Sequence, residues 1–343
     1  MCGIFGWIKP KGKKHQELDL VEIFKRGLIE SMERGEDATG FYASNIGLVK
    51  LAEDAEEFVD GNVPKSLAEA NFVIGHCRMA SAKYAHDDAN LNNDENAQPF
   101  ESTHFVTAHN GTINIPKLKG YAYTSDIDSE SIIAYAEKTS LRNALATIDG
   151  GSTVVAYDKR KKCMYFWTNG DRPLAVCLFG GIIFFASTRK ILQRTLKPKT
   201  EINIFTPEIA FATIYEDELL EYDFNKNKFT RKGEIEAKVS PEARASVKSH
   251  IVSEHFQPIK QNKPLPRGSG SNPTPPNSGL KANGTTRSDL VPVSVLRSST
   301  NMQSSFADQL NDQIESITSP DVRKQVRIGP NGARIITYVT KGK

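Results

Sequence analysis

The sequence predicts an α+β layered domain followed by a largely disordered C-terminal tail, and three observations carry that expectation. Six short apolar runs, NFVIGH, HFVTAH, STVVAY, CMYFW, LAVCLF and IIFFAS, are each bounded by Gly, Asp, Asn or basic residues, which marks them as strands. Segments with apolar residues at three- and four-residue spacing accompany them and read as helices. After about Ser240 the chain passes into KQNKPLPRGSGSNPTPPNSGLKANGTTRSD, rich in Pro, Gly, Ser and Asn, with almost nothing to bury.

In chain order, Val21, Phe24, Leu28 and Met32 define a first helix that ends before Arg34-Gly35. A second begins near Asp128 and carries Ile132, Ile133 and Ala136; a short third carries Leu141, Ala144, Leu145 and Ile148. Gly180-Gly181 and the stretch from Asp158 to Lys162 are the expected turns of two hairpins. The strand runs are apolar at successive positions, so helices or a second sheet must cover both of their faces. We therefore expect a folded domain over residues 1–238, a disordered linker over 239–304 and a tail over 305–343. In that tail Phe306, Leu310, Ile314 and Ile317 fall at helical spacing, and RIGPNGARIITYV reads as two short strands around Pro330-Asn331-Gly332, elements suited to docking on a partner.

Composition narrows the function classes. A chain of 343 residues with 38% hydrophobic content can bury a substantial core. No apolar run approaches the roughly 20 residues that a membrane span needs, and the start MCGIFGWIKPKGKK lacks the order of a signal peptide, so a cytoplasmic protein with no membrane partner is expected. Cys2, Cys77, Cys163 and Cys177 form no CxxC pair, which argues for reduced thiols rather than a disulfide framework. His76, Cys77, His86, His104 and His109 crowd one region, but their spacing fits no common metal site, and no metal is expected. The net charge of +3 divides unevenly: residues 241–343 hold 14 Lys/Arg against 7 Asp/Glu, leaving 30 against 34 in residues 1–240. The tail's charges are dispersed and not interleaved with aromatics, so it reads as solvated rather than as a nucleic-acid surface.

The chemistry begins at position two. An initiator methionine is removed when the next side chain is small, and cleavage before Cys2 would leave a thiol and a free α-amine on one residue. That amine has an ordinary pKa of about 7.7–8.0, so an appreciable fraction is unprotonated at neutral pH and able to act as a general base. Nucleophile and base would then arrive together. A Met-Cys start is by itself more often incidental.

The neighbouring motifs change that balance. MCGIFG at the start, RGEDATGF from Arg34, GHCRMAS from Gly75, ENAQPF from Glu95, AHNGTI from Ala108 and DSE from Asp128 follow one another, with NGDRPLAV, IIFFASTRKIL and FTPEIAFATI later. This ordered set, over about residues 2–235, resembles the class II, N-terminal-nucleophile (Ntn) glutamine amidotransferases. That family includes the glutaminase domains of glucosamine-6-phosphate synthase, amidophosphoribosyltransferase and asparagine synthetase.

The resemblance implies a four-layer αββα sandwich of the Ntn hydrolases, with roles for particular residues. Cys2 would be the nucleophile, and the Asn110 amide with the Gly111 N–H would form the oxyanion hole. Arg78 and Ser81 would hold the substrate α-carboxylate, and Asp128 the α-ammonium. Ser81 is followed by Ala82, where the family frequently shows threonine and then histidine. Arg34 and Asp37 would shape the surroundings of the nucleophile. His76 and His109 are expected to be packed or hydrogen-bonded wall residues, because the α-amine is this family's base. Read without the family, Arg78 is a strand-end arginine, Asn110-Gly111 a hairpin turn and Asp128 a helix cap competing with Ser125 and Asp126.

The expected activity is hydrolysis of L-glutamine to glutamate and ammonia through a Cys2 γ-glutamyl thioester, without a cofactor. The family normally passes that ammonia to a synthetase. Residues beyond 240 carry no SGGxDS loop, isomerase-sized domain or phosphoribosyltransferase region, so the acceptor is expected on a separate chain. The alternatives are a hydrolase of another γ-glutamyl amide and a non-catalytic binding module of the same fold.

Overall fold

The computed structural model describes residues 2–13, 15–80, 93–170, 172–196, 210–214, 216–235, 307–308, 310–311, 322–328 and 334–340. By compactness the chain divides into one unit of Met1–Val247 with Ser304–Lys343, and a second of Lys248–Gln303. The second unit, and with it most of the expected linker, lies outside the described residues.

Two antiparallel sheets form the centre of the first unit. One contains β1 (Gly3–Ile8), β2 (Ala38–Ala43), β3 (Gly47–Leu51), β4 (Phe72–Arg78), β9 (Ala175–Phe179), β10 (Ile182–Ala186) and β11 (Ala210–Thr213), in the order β11-β9-β10-β1-β4-β2-β3. The other contains β5 (Phe100–Glu101), β6 (Phe105–Gly111), β7 (Ser152–Asp158), β8 (Cys163–Thr168), β12 (Glu218–Asp223) and β13 (Lys228–Glu234), in the order β13-β12-β8-β7-β6-β5. All six expected strands are present. β2, β3, β12 and β13 are less apolar and were not separated from loop by their sequence.

The two-residue period of the strands sorts their side chains into layers. In β1, Ile4 and Ile8 enter a core shared with Val106, Val155, Phe166 and Leu220 of the second sheet, whereas Phe5 and Trp7 face the opposite way. That outer face is covered by α1 (Leu20–Ser31), α2 (Ala55–Asn62) and α5 (Arg189–Leu196), through residues such as Phe24, Phe58 and Leu192. The far face of the second sheet packs Val154, Tyr165 and Trp167 against Ile132 and Ile133 of α3 (Glu130–Lys138) and Leu145 of α4 (Leu141–Ala146). The architecture is the expected α+β, four-layer αββα sandwich. It also explains why the strand runs are apolar throughout: the sheets are covered on both sides.

Local signals account for the helix ends and turns. The Asp19 carboxylate accepts from Glu22 N at 3.0 Å and caps α1, which ends in a 3-10 turn at Met32–Arg34. Gly180 and Gly181 have φ of 59° and 81°, the left-handed pair that a two-residue hairpin between β9 and β10 requires. Helix α3 starts at Glu130, two residues past Asp128. Ser129 occupies its cap position and forms no side-chain capping bond, and Asp128 lies outside the helix with other partners.

In the tail, β14 (Val322–Ile328) and β15 (Arg334–Thr340) pair as the expected antiparallel hairpin. Residues 307, 308, 310 and 311 are helical, while Phe306, Ile314 and Ile317 lie outside the described residues. Ala307 and Leu310 are buried in the core between the two sheets. This modifies the expectation of a helix presented to a partner, because the described apolar side chains of that helix are already used within the chain.

Candidate active site

The nucleophile candidate sits one residue before β1. Gly3 pairs with Cys77 of β4, which sets Cys2 beside Arg78, and the Arg34 Nε donates to the Cys2 carbonyl at 3.0 Å. A Cβ on Gly3 would stand 2.6 Å from the Ser31 carbonyl, so only glycine lets this strand approach the end of α1. Asp37 ties the exit of β4 at both ends: its N–H donates to the Arg78 carbonyl at 2.9 Å, and its carboxylate accepts from Ala80 N at 2.5 Å.

Facing this wall is the end of β6. The Cys2 backbone nitrogen donates to Asn110 Oδ1 at 3.0 Å, across 108 residues of sequence. Because a nitrogen donor must meet an oxygen, that bond fixes the amide orientation and leaves Nδ2 free of the Cys2 backbone nitrogen. Asn110 Nδ2 is buried and has no hydrogen-bond partner among the described residues. At Gly111 a Cβ would stand 2.1 Å from the Gly151 carbonyl and 2.8 Å from His109 Nε2, so no side chain fits.

A cleft is lined by Cys2, Arg78, Gly111 and Asp128 together with Gln98, Ser129 and Arg172, and by Met79, Ala80, Thr112 and Ile127. Asn110 adjoins it through Cys2, Arg34 stands behind Cys2, and His109 stands behind Ser129. Ser81 lies outside the described residues. Gln98, Ser129 and Arg172 are additions that motif reading did not single out. Gln98 and Arg172 lie in the quoted segments ENAQPF and NGDRPLAV and Ser129 in DSE, but nothing in a linear motif says which side chain turns inward.

Burial pushes the Cys2 thiol above its ordinary pKa, and Arg78 pulls the other way. The Arg78 guanidinium is itself lowered, chiefly by burial, with Cys2, Asp37 and Asp128 opposing. His109 is pushed down to about 4 by burial, against the pull of Asp128, and His76 to about 3, also by burial. Both imidazoles are neutral at physiological pH. His76 Nε2 bonds the His109 carbonyl at 3.0 Å, so neither ring reaches Cys2 as a partner through these bonds. Among the described residues no cluster of three or more His, Cys, Asp or Glu could hold a metal.

Residues 86–194 match the family model described as a glutamine amidotransferase domain. This segment is similar to glutamine amidotransferase domains. It contains Gln98, His109, Asn110, Gly111, Asp128, Ser129 and Arg172, while Cys2, Arg34 and Arg78 precede it. No curated protein matches the chain. Among solved structures, glutamine phosphoribosylpyrophosphate amidotransferase from B. subtilis is 17% identical, with a TM-score of 0.48, over 67% of this chain and 49% of that one. The chain thus spans about half the length of that enzyme. A predicted glutamine amidotransferase from Pseudomonas aeruginosa is 11% identical, over 68% of this chain and 95% of that one, with a TM-score of 0.34. A glutamine aminotransferase class-II domain protein from Silicibacter pomeroyi is 11% identical, over 69% of this chain and 100% of that one, with a TM-score of 0.37.

Proposed function

We propose that the amidotransferase domain hydrolyses L-glutamine to glutamate and ammonia, with Cys2 as the nucleophile once Met1 has been removed. The observation that carries this reading is the bond from Cys2 N to Asn110 Oδ1, with Asn110 Nδ2 left buried and unpartnered beside Gly111. A buried, unsatisfied donor is costly unless something arrives to accept from it. An oxyanion formed on a carbon attached to Cys2 Sγ would meet that need.

In this mechanism the Cys2 α-amine takes the thiol proton as Sγ attacks the side-chain amide carbon. The carbonyl electron pair moves onto oxygen, which accepts from Asn110 Nδ2 and Gly111 N. As the intermediate collapses, the C–N bond breaks, the α-ammonium returns the proton to the departing nitrogen, and ammonia leaves a γ-glutamyl thioester. Water, deprotonated by the same amine, then attacks the thioester; the C–S bond breaks and Cys2 regains its proton. The buried thiol is neutral at rest, so it needs a base at hand. His76 and His109 are neutral, and their ring nitrogens bond the His109 carbonyl and the Ser129 hydroxyl rather than Cys2, which leaves that part to the α-amine. Arg78 would hold the substrate α-carboxylate and Asp128 its α-ammonium, opposite charges at the cleft for a zwitterion. In this reading the protein is cytoplasmic, requires no cofactor, and hands its ammonia to a synthetase on a separate chain. Among the described residues, no helix is long and apolar enough to cross a membrane.

Glutamate release from L-glutamine, with the intact mass recorded to read Met1 removal, tests the proposal directly. Processed wild-type protein should turn over glutamine and Cys2→Ala should abolish it, a loss of at least about 10⁴-fold. Activity that survives in Cys2→Ala, or none in processed wild type with glutamine or other γ-glutamyl amides, would overturn the assignment.

A further inference from the structure

The hydroxyl of Ser129 occupies the place of a helix N-cap but does not cap. It is 4% exposed and makes no side-chain bond to the first turn of α3. Instead it donates to Asp128 Oδ1 at 3.3 Å. A carboxylate can only accept, so the single Ser129 proton is committed to Asp128, and every other bond to Ser129 Oγ must come from a donor. His109 Nδ1, at 2.8 Å, is therefore protonated, which fixes the tautomer of the neutral ring and leaves Nε2 as a bare acceptor. Gln98 Nε2, at 3.4 Å, is the second donor.

The Gln98 amide is held in turn. Its Oε1 accepts from His109 N at 2.8 Å, which leaves Nε2 facing the His109 carbonyl at 3.3 Å and Ser129. Lys50 supports the preceding turn by donating to the carbonyls of Glu95 and Ala97 at 2.9 and 3.0 Å. Asp128 Oδ2 accepts from Ile113 N at 2.8 Å, two residues beyond Gly111. One carboxylate oxygen is thus tied to the strand end that carries the oxyanion donors, and the other to a buried hydroxyl.

We propose that Ser129 is a positioning residue that sets the direction of the Asp128 carboxylate towards the substrate α-ammonium, and so contributes selectivity for α-amino substrates. The inference rests on the glutaminase reading above and extends it to a residue that does not touch the reacting atoms. A structural role alone would weaken all substrates alike. An action through Asp128 weakens only those that carry the ammonium.

The experiment compares L-glutamine with glutaramate, the same amide lacking the α-amine, on the full-length processed protein. Ser129→Ala should raise KM for glutamine about tenfold with kcat within about twofold, and leave kcat/KM for glutaramate within about twofold of wild type. Ser129→Thr, which restores a hydroxyl, should recover most of the glutamine KM. In an Asp128→Asn background the Ser129→Ala change should have little further effect. Equal losses on both substrates, or additive losses in the double variant, would overturn the positioning role while leaving the glutaminase reading standing. Processed wild-type protein that neither binds nor hydrolyses glutamine would overturn both.

Discussion

The wall of the cleft that carries Cys2 is held largely through main-chain atoms, whereas the wall that carries Asp128 is held by side chains bonded to one another. On the first wall, β1 and β4 run in antiparallel register, Ser187 N donates to the Ile4 carbonyl at 2.9 Å, and Arg34 grips the Cys2 carbonyl. On the second, Gln98, His109, Ser129 and the half-buried Asp128 form a chain that includes one neutral imidazole, and a second, His76, reaches across from β4 of the first wall to the His109 carbonyl. Main-chain register is indifferent to pH and tolerant of most side chains. A buried polar network is neither, because each member that loses its partner leaves an unsatisfied group. The nucleophile wall should therefore respond to substitution mainly at Cys2, Arg34 and Arg78, whose side chains act directly at the site, and the binding wall also at residues that act only through one another.

The largest effect that tests this contrast is acid lability. His76 and His109 have folded pKa values of about 3 and about 4, below the ordinary 6.5, so between those limits the unfolded chain binds protons that the folded chain refuses. Their stabilising contribution is fully present above about pH 6.5 and is lost as the pH falls towards 4 and then 3. By about pH 5 the loss should be on the order of 2 kcal/mol for each histidine. Urea unfolding at about pH 7.5 and about pH 5 measures it. His109→Gln should lower stability at neutral pH yet flatten the pH dependence, and an unchanged slope would show that the network is not the acid-sensitive element.

Asn110→Ala comes next, because Asn110 joins the two walls. Removing its amide should lower kcat for glutamine by about 10²–10³-fold, or roughly 3–4 kcal/mol, with a much smaller change in KM. Steady-state kinetics separate the two. A loss that fell on KM instead would place Asn110 with Asp128 in ground-state binding and erase the distinction between the walls.

How much of this could be read in the sequence follows the same division. Cys2, Arg78, Asn110, Gly111 and Asp128 stand in contiguous motifs, and the structure brings all five to one site. The apolar runs gave the strands because both faces of each sheet are buried. The links among Gln98, His109 and Ser129 join three separated segments, and no local pattern encodes a hydrogen bond between them. Asp128 also departs from its local reading: an Asp before a helix signals a cap, yet here Ile113 N and the adjacent Ser129 hydroxyl claim its carboxylate. The strands β12 and β13 were hidden for another reason. β13 is an edge strand, its residues are mostly exposed and charged, and KFTRKGE lacks the apolar content of the central strands.

That edge strand supplies the smallest predicted effect and a control for the others. Asn311, from the tail, accepts from Phe229 N at 2.9 Å and donates to the Phe229 carbonyl at 3.0 Å, taking the place a neighbouring strand would have. Leu310 beside it reaches the same core as Phe229 and Tyr222. Asn311→Ala strands two main-chain groups at the sheet edge, which should lower stability by about 1–3 kcal/mol. Neither group belongs to the cleft, so kcat and KM for glutamine should stay within about twofold of wild type, and the slope of stability against pH should match it. A shifted KM would mean that the packing between the sheets transmits strain from the tail to the binding wall, and the two walls could then no longer be treated as separately held. An unchanged unfolding midpoint would return the tail helix to the solvent-exposed, partner-seeking part that its sequence alone suggests.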